Sequence, residues 1–150
     1  MLIRPVQGSD AAAWLEMRCD LWPGPEQSHA EEISRFLMGN AREPLYVLIA
    51  IDDQGRSAGF IELSIRAYAE GCDTDRVAFI EGWYVLPSIR GRRVGAGLIH
   101  AAESWTRSQG CVELGSDTEV NNRDSTAAHL APGFENVGVL RCFRKRLFSS

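Results

Sequence analysis

The sequence predicts an α+β domain, an α/β arrangement in which helices flank one mixed sheet. Three observations lead to this prediction. Apolar segments of strand character alternate with segments of helical periodicity. The length of 150 residues matches one domain with its own hydrophobic core. The chain has no internal repeat, linker or low-complexity segment, so we assign residues 1–150 to a single domain.

Strands are predicted where short apolar runs are bounded by turn residues. They cover residues 2–6, 45–51, 58–65, 77–85 and 111–116, with a final strand region at residues 137–147. An Asp-Asp-Gln-Gly turn follows the second run and the third run begins shortly after it, so these two runs are predicted to form a hairpin.

Four helices are predicted from apolar spacing and from signals at their ends. They cover residues 9–21, 28–38, 94–109 and 122–130. Ser9 can cap the first helix, and Trp22-Pro23-Gly24-Pro25 breaks the chain after it. Ser28-His29-Ala30-Glu31 has the capping-box pattern, so the second helix is expected to begin at Ser28.

The composition is that of an ordinary globular chain, with 45% hydrophobic and 24% charged residues. No apolar run approaches the ~20 residues of a membrane helix, and the N-terminal residues lack a signal-peptide pattern. The four scattered cysteines form no zinc-binding spacing with the histidines; they are Cys19, Cys72, Cys111 and Cys142. We therefore expect free thiols, a cytoplasmic location, and neither a metal nor a membrane partner.

The basic C-terminal region suggests a nucleic-acid partner as an alternative. Arg141 and the run Arg144-Lys145-Arg146 alternate with apolar residues, a pattern that is also typical of a strand with one solvated face. The net charge of −4 argues against nucleic acid and suits a cationic substrate. Because no nucleic-acid-binding motif accompanies the run, we expect no such partner.

The most specific motif follows the strand at residues 77–85. Gly91, Gly95 and Gly97 remove side chains where the phosphates of a ligand could approach the backbone. The first amides of the following helix have no intrahelical partner, and neighbouring arginines add positive charge. Such a helix start is an anion-binding site. The spacing GxxxGxG matches neither the GxGxxG pattern of dinucleotide folds nor a nucleoside-triphosphate loop.

Glu81 is the most unusual acidic residue, because apolar residues surround it in the segment from Phe79 to Val85. A buried carboxylate without a partner is costly, so Glu81 must be paired, solvated in a cleft or functional. The alternative is an acid at the sheet edge that faces water. Gly82 beside it indicates a β-bulge or the close approach of a ligand.

Other candidate site residues lie at the ends of predicted elements. Asp117 follows a strand, where ligands often bind, although it could also be a turn residue. Asn122 and Ser125 begin a helix, where they either hold a polar ligand or cap the helix. Trp22 and Tyr68 lie in predicted loops, where they could bind a polycationic sugar or close a hydrophobic edge.

Several segments, in order along nearly the whole chain, resemble one protein family. Arg92-x-x-Gly95-x-Gly97 resembles the pyrophosphate loop of the GCN5-related N-acetyltransferases (GNAT). The other matching segments are Met17-Arg18-Cys19-Asp20-Leu21-Trp22-Pro23, Tyr68-Ala69-Glu70-Gly71-Cys72, Ile80-Glu81-Gly82-Trp83-Tyr84-Val85, Gly115-Ser116-Asp117, Asn122-x-x-Ser125-x-x-x-His129 and Gly133-Phe134-Glu135. Together they are similar to the aminoglycoside 6′-N-acetyltransferases of that superfamily.

The resemblance implies the GNAT fold, with a splayed V between parallel strands at residues 77–85 and 111–116. It implies acetyl-coenzyme A as donor, with pantetheine in the V, the thioester at backbone groups of Tyr84 and Val85, and the pyrophosphate at residues 90–97. The implied cofactor-binding residues are Tyr84, Val85, Arg90, Gly91, Arg92, Arg93, Val94, Gly95, Ala96, Gly97, Asn122 and Ser125.

The resemblance also implies acetyl transfer to the 6′-amine of aminoglycoside antibiotics, and hence antibiotic resistance. The implied substrate-binding residues are Trp22, Tyr68, Glu81 and Asp117. Family members commonly form homodimers through C-terminal strands, which makes residues 137–147 the expected interface. Pro132 stands where the family usually has leucine, which predicts a shortened or kinked helix before it.

Direct attack in a ternary complex is the expected mechanism. Glu81 and Asp117 would bind the ammonium group, orient the amine and accept its proton, while the backbone N–H of Val85 polarises the thioester carbonyl. A covalent route through Cys72 or Cys111 is disfavoured, because neither thiol has an evident base beside it in the sequence. Two other functions stay open: acetylation of another small amine or a protein N-terminus, and a non-catalytic coenzyme A-binding sensor.

Overall fold

The computed structural model describes residues 1–41 and 43–148. The chain divides into two compact units, Met1–Asp117 and Thr118–Ser150. The first unit contains the sheet and three α-helices, and the second contains the fourth α-helix. The assignment of residues 1–150 to one domain stays a prediction.

One mixed sheet of five strands forms the centre of the first unit. The strands are β1 (Leu2–Pro5), β2 (Tyr46–Ile51), β3 (Ser57–Arg66), β4 (Val77–Val85) and β5 (Leu114–Gly115). They lie side by side in chain order, with antiparallel pairing from β1 to β4 and parallel pairing between β4 and β5. The predicted mixed sheet and the predicted hairpin are therefore confirmed.

The helices are α1 (Ala11–Leu21), α2 (Glu26–Leu37), α3 (Val94–Ser108) and α4 (Arg123–Leu130). The predicted start of α2 at Ser28 is wrong, because Pro25 is the N-cap residue and Ser28 already donates its backbone N–H to the Pro25 carbonyl oxygen at 3.1 Å. Proline suits a helix start, since its missing N–H needs no partner there. α4 ends two residues before Pro132, as the sequence predicts.

Two predicted strands differ from the structure. β5 has two residues rather than the six expected at residues 111–116, because it pairs only with Ala78 and Phe79 of β4. Residues 137–147 form no strand in the part of the chain that the structure describes. A strand requires hydrogen-bonded neighbours to be stable in water, and apolar alternation alone does not supply them.

Helices cover both faces of the sheet. Against α1 and α2 lies a core cluster whose buried members are Trp14, Met17, Ile33, Val47, Ile49, Phe60 and Tyr84. α3 buries its apolar side, including Leu98 and Ile99, against the other face. Within residues 1–41 and 43–148, no helix combines the length and the apolar character needed to cross a bilayer.

Candidate active site

The parallel strands β4 and β5 separate almost at once. They pair at Ala78 with Leu114 and at Phe79 with Gly115, and β4 then continues to Val85 paired with β3 but not with β5. Leu86, the next residue, donates its backbone N–H to the Ala58 carbonyl oxygen of β3 at 2.9 Å. Because backbone groups alternate in direction along a strand, those of Val85 face the opening. The predicted V is present, with a backbone donor at its open edge.

Tyr84 has both its backbone and its side chain directed away from this opening. Its backbone lies in the β3 ladder opposite Phe60, and its ring belongs to the α1 core. Burial, and then the hydrogen bond that its hydroxyl donates to Asp20, raise the pKa of Tyr84 to about 12. Of the two residues expected to hold the thioester through backbone groups, Val85 therefore has the suitable geometry.

The loop between β4 and α3 leads into a helix whose first amides have no acceptor within the helix. The first hydrogen bond of α3 runs from the Gly97 N–H to the Arg93 carbonyl oxygen at 3.0 Å, so the amides of Val94, Gly95 and Ala96 have no intrahelical acceptor. Arg93 adopts φ 66° as the N-cap residue, and its side chain does not cap the helix. These amides carry the positive end of the helix dipole.

Three arginines surround this helix start and are exposed: Arg90, Arg92 and Arg93. Arg90 donates from Nε to the Val85 carbonyl oxygen at 2.8 Å, which connects the loop to the end of β4. Free amides and guanidinium groups together form a site for a phosphate-bearing ligand. This geometry is what the Arg–Gly motif predicts.

The three glycines of the motif have different structural reasons. Gly91 has φ +88°, a left-handed conformation that side chains disfavour. A Cβ atom at Gly97 would lie 2.9 Å from Ile3 Cδ1, and one at Gly95 would lie 3.3 Å from the Trp83 ring. Gly95 and Gly97 therefore allow α3 to pack closely on the sheet, whereas the sequence suggests that they make room for phosphates.

Glu81 is the extra residue of a β-bulge. In the β3–β4 register, Glu62 pairs with Gly82 and Leu63 pairs with Ile80, so Glu81 has no opposite residue. The bulge that Gly82 predicts is confirmed. The close approach at Gly82 is made by protein rather than ligand, since a Cβ atom there would lie 2.5 Å from the Trp22 ring.

The Glu81 carboxylate is paired with an arginine that the sequence analysis missed. Arg66, at the end of β3, donates from Nε to Glu81 Oε1 at 3.0 Å and from Nη2 to Oε2 at 2.8 Å. The Ser64 hydroxyl also donates to Oε1. The sequence offered one signal for these contacts: Ser64 and Arg66 lie two positions apart on β3, so their side chains share one face of the sheet.

Asp117 lies exposed just beyond β5. Its charge and that of Glu43 both help to raise the pKa of Arg66, although the hydrogen bond to Glu81 is the largest cause and partial burial opposes the shift. The charges of Asp117 and Glu43 thus act on the same guanidinium group that Glu81 binds directly.

A cleft of about 450 Å³ opens beside Glu43 and Glu81 within the first unit. Four glutamates contribute to its lining: Glu32, Glu43, Glu62 and Glu81. Among the described residues, Arg18 and Arg35 contribute positive charge to the lining, and Trp22 forms an aromatic part of the wall. Glu32 and Glu43 were not predicted as site residues, since only the tertiary structure brings them to Glu81. The cleft suits a cationic ligand with a face that can stack on an aromatic ring.

Trp22 is held in the cleft wall by a buried network. Its ring stacks on His29 with centroids 6.3 Å apart, and the Arg18 guanidinium carbon lies 5.1 Å from its centroid. Arg18 can only donate, so its contact with His29 Nδ1 at 3.2 Å makes that nitrogen an acceptor. His29 Nε2–H then donates to the Trp22 carbonyl oxygen at 3.1 Å.

Of the four predicted substrate-binding residues, Trp22 and Glu81 line this cleft, whereas Tyr68 and Asp117 do not belong to its lining. Tyr68 is exposed and donates its hydroxyl to Glu70 at 2.6 Å, which raises the pKa of Tyr68. In the second unit, Asn122 caps α4 by accepting the Ser125 backbone N–H at 3.0 Å. Capping accounts for this contact, and the roles of Tyr68, Asn122 and Ser125 in binding stay predictions.

The cysteines offer little support for a covalent mechanism. All four are free thiols. Burial raises the pKa of the Cys72 thiol, which favours the less nucleophilic protonated form. Cys111 is buried, with Arg76 Nη1 3.4 Å from its sulfur. Among the described residues, no group of three or more His, Cys, Asp or Glu residues is arranged to hold a metal ion.

Comparison with known proteins links this geometry to one family. The acetyltransferase (GNAT) family matches residues 11–134. Aminoglycoside N(6')-acetyltransferase type 1 of Klebsiella aerogenes is 54% identical over 147 residues, which cover 97% of each chain. The enzyme of the same name from Stenotrophomonas maltophilia is 39% identical, covering 97% of this chain and 93% of its own.

Solved structures agree over nearly the whole chain. AAC(6')-Iy in complex with the bisubstrate analogue CoA-S-monomethyl-acetylneamine superposes with a TM-score of 0.88 at 38% identity, covering 97% of each chain. The apo aminoglycoside 6'-N-acetyltransferase AAC(6')-IG of Acinetobacter haemolyticus gives 0.89 at 34% identity, covering 98% of this chain and 99% of its own. The chain therefore belongs to the GNAT family of acetyltransferases and, within it, to the aminoglycoside 6′-N-acetyltransferases.

Proposed function

We propose that this protein transfers the acetyl group of acetyl-coenzyme A to the 6′-amine of aminoglycoside antibiotics and thereby confers resistance. The observation that carries the proposal is the juxtaposition of two sites in one unit. A helix start with free amides and arginines adjoins the open edge of β4, and an acidic cleft begins at Glu81 on the same strand. The curated relatives and the bisubstrate complex of AAC(6')-Iy support the same activity.

The donor end of the site fits coenzyme A. The amides of Val94, Gly95 and Ala96, together with the three exposed arginines, would hold its pyrophosphate. The backbone of Val85 faces the opening between β4 and β5, where its N–H can donate to an acyl oxygen. When bound, acetyl-coenzyme A supplies the acetyl group as a thioester.

The acceptor end fits a polycationic sugar. Trp22 supplies an aromatic wall, and the cleft glutamates supply negative charge for ammonium groups. We place Glu81 and Asp117 at the reacting amine because both lie near the end of the V where β4 and β5 diverge. Tyr68 with Glu70 forms a further exposed aromatic–acid pair that a second sugar could contact.

Proton transfer from the amine is within reach of these acids. An alkyl ammonium has a pKa near 10.4, so forming the neutral amine at pH 7 costs roughly 4–5 kcal/mol. Glu81 and Asp117 would bind the ammonium, orient the amine and take the proton directly or through water. The hydroxyl of Tyr84 is committed to Asp20, so water is the better proton source for the leaving thiolate.

We also propose a cytoplasmic homodimer that forms through residues 137–147. The four free cysteines suit a reducing compartment. Large apolar side chains of this segment are exposed, among them Val139, Leu140, Phe143 and Leu147. An exposed apolar segment of strand composition suits pairing with a second copy.

Sedimentation velocity of the full chain and of a truncation after Glu135 tests the proposed homodimer. The full chain is expected to be a dimer and the truncated chain a monomer.

Product mapping tests the activity. The protein is incubated with acetyl-coenzyme A and kanamycin, thiol release is followed, and the product is assigned by NMR. We expect one acetyl group on the 6′-nitrogen and no turnover with an aminoglycoside that carries a hydroxyl at that position. Acetylation at another nitrogen would contradict the regiochemistry. Binding of coenzyme A without turnover on any amine would favour the sensor instead.

A further inference from the structure

Arg66 binds Glu81 at the wall of the cleft, and neither cofactor binding nor proton transfer assigns it a role. Its guanidinium holds both oxygens of Glu81, at 3.0 and 2.8 Å, and stacks over the Phe79 ring with its central carbon 3.6 Å from the centroid. Stacking fixes the plane of the guanidinium, and the paired hydrogen bonds fix the carboxylate to that plane. The pair stays partly accessible, with 35% of the Arg66 side chain and 18% of the Glu81 side chain exposed.

The described lining of the cleft beside this pair carries more acidic than basic residues. Glu32, Glu43, Glu62 and Glu81 line it together with Arg18 and Arg35. An acidic lining favours a bound cation. The charges of Glu43 and Asp117 also help to raise the pKa of Arg66, after the larger effect of the hydrogen bond to Glu81.

The hydrogen bonds to Glu81 also limit how it can bind a ligand. A carboxylate offers about four acceptor positions. Two donors from Arg66 and one from Ser64 already use three of them. About one position is left for a substrate, and the position left depends on how Arg66 and Ser64 orient the carboxylate.

We propose that Arg66 is a positioning residue for the acetyl acceptor: it orients the Glu81 carboxylate at the β4 bulge so that its remaining acceptor position receives the reactive ammonium group. The inference rests on the proposed aminoglycoside acetylation. Ser64 assists by fixing Oε1 from the same face of β3. Arg66 itself does not contact the reacting atoms.

Steady-state kinetics of matched variants test this role. Arg66→Lys keeps the charge but loses the planar fork that binds two oxygens. It is expected to lower kcat/KM for the aminoglycoside about tenfold, while KM for acetyl-coenzyme A stays within about twofold. In a Glu81→Gln background the same change is expected to have an effect of less than about twofold, because the group that Arg66 positions is already altered.

Arg4→Lys is the matched control. Arg4, on β1 at the sheet edge remote from β5, forms a similar two-bond pair with Asp10 at the start of α1, at 2.7 and 3.0 Å. The side chains of Arg4 and Asp10 are 26% and 8% exposed, so this pair is partly buried like Arg66–Glu81. Arg4→Lys is expected to reduce stability to urea about as much as Arg66→Lys does, and to leave kcat/KM within about twofold.

Ser64→Ala provides a second variant that does not alter charge. It removes one donor to Glu81 and is expected to lower kcat/KM about two- to threefold, again only when Glu81 is present. Equal losses in the two backgrounds for Arg66→Lys, or no loss at all, would overturn the inference. If the unmodified protein acetylates no 6′-amine, the proposed function fails. If it does so and Arg66→Lys loses equally in both backgrounds, only the inference fails, so the two failures are distinguishable.

Discussion

Two arginine–glutamate pairs lie side by side at the bulge of β4, and they differ chiefly in burial. Arg18 and Glu62 have side-chain exposures of 5% and 1%, whereas Arg66 and Glu81 have 35% and 18%. Each arginine holds both oxygens of its glutamate. Glu62 also accepts a hydrogen bond from Trp14 Nε1 at 2.9 Å inside the core. The same chemical pair thus occurs twice beside the cleft, once almost completely buried and once partly exposed.

The difference teaches what burial does to an ion pair. A buried charge without its partner is strongly destabilising, so Arg18–Glu62 is committed to the structure that holds Trp22. A partly solvated pair contributes little to stability, and its exposed side leaves Glu81 accessible to a ligand. The predictions below test this division, from the largest expected effect to the smallest.

Removing the buried carboxylate is expected to have the largest effect on stability. Glu62→Ala leaves Arg18 without its main partner and should lower the free energy of unfolding by about 3–5 kcal/mol, as measured by urea denaturation. Glu81→Ala should cost about 1 kcal/mol or less. The paired replacement Arg18→Met with Glu62→Leu should recover most of the loss. Similar losses for the two single variants would break the comparison.

The hydroxyl of Tyr84, whose ring lies in the core against α1, should make the free energy of unfolding depend on pH in the alkaline range. The pKa of Tyr84 is about 12 in the folded protein and about 10 when unfolded. A raised pKa means that the folded state holds its proton more tightly, so this stability is present below pH 10 and is lost as pH rises toward 12. The loss is about 2–3 kcal/mol. Urea unfolding across this range should show a flatter dependence for Tyr84→Phe; identical slopes would contradict the assignment.

Gly82 lies next to both glutamates, because it follows Glu81 on β4 and pairs with Glu62 on β3. The Trp22 ring packs directly on Gly82. A Cβ atom there would lie 2.5 and 2.7 Å from two carbons of the Trp22 ring. Gly82→Ala should cost about 1–3 kcal/mol of stability and raise KM for the aminoglycoside, since the cleft wall must move. Gly8→Ala is the control, with no atom within 4 Å of the added methyl group. An unchanged KM would separate Trp22 from the substrate site.

Neutral isosteres at the cleft should affect turnover more than stability. Glu81→Gln and Asp117→Asn are each expected to lower kcat tenfold or more, which corresponds to about 1.4 kcal/mol. Cys72→Ala and Cys111→Ala are the controls and should keep turnover within about twofold. Near-normal turnover in both carboxylate variants would remove their assignment to the amine.

Much of the fold could be predicted because its signals are local. The apolar run of β4, the spacing of Leu98 and Ile99 in α3 and the Arg–Gly loop all depend on residues close together in the chain. The two strand predictions that are wrong depended on partners elsewhere in the chain. Residues 111–116 have the composition of a strand, but only Leu114–Gly115 finds a neighbour, and residues 137–147 find none among the described strands.

The candidate site divides in the same way. Glu81 and Gly82 could be singled out because an acid and a glycine interrupt an apolar strand. Arg66 and Glu43 could not, because Arg66 is separated from Glu81 by 15 positions in sequence and meets it only through the β3–β4 register. A bulge shifts that register by one residue, and no local pattern states which carboxylate will then face which arginine.

The sequence by itself determined the glycine- and arginine-rich helix start, the mixed sheet and the family, because backbone geometry and motif spacing are properties of neighbouring residues. Only the tertiary structure decided which acids line the cleft, which of two similar ion pairs is buried, and that Gly95 and Gly97 serve packing. Burial and pairing depend on distances between remote parts of the chain, and folding alone sets those distances.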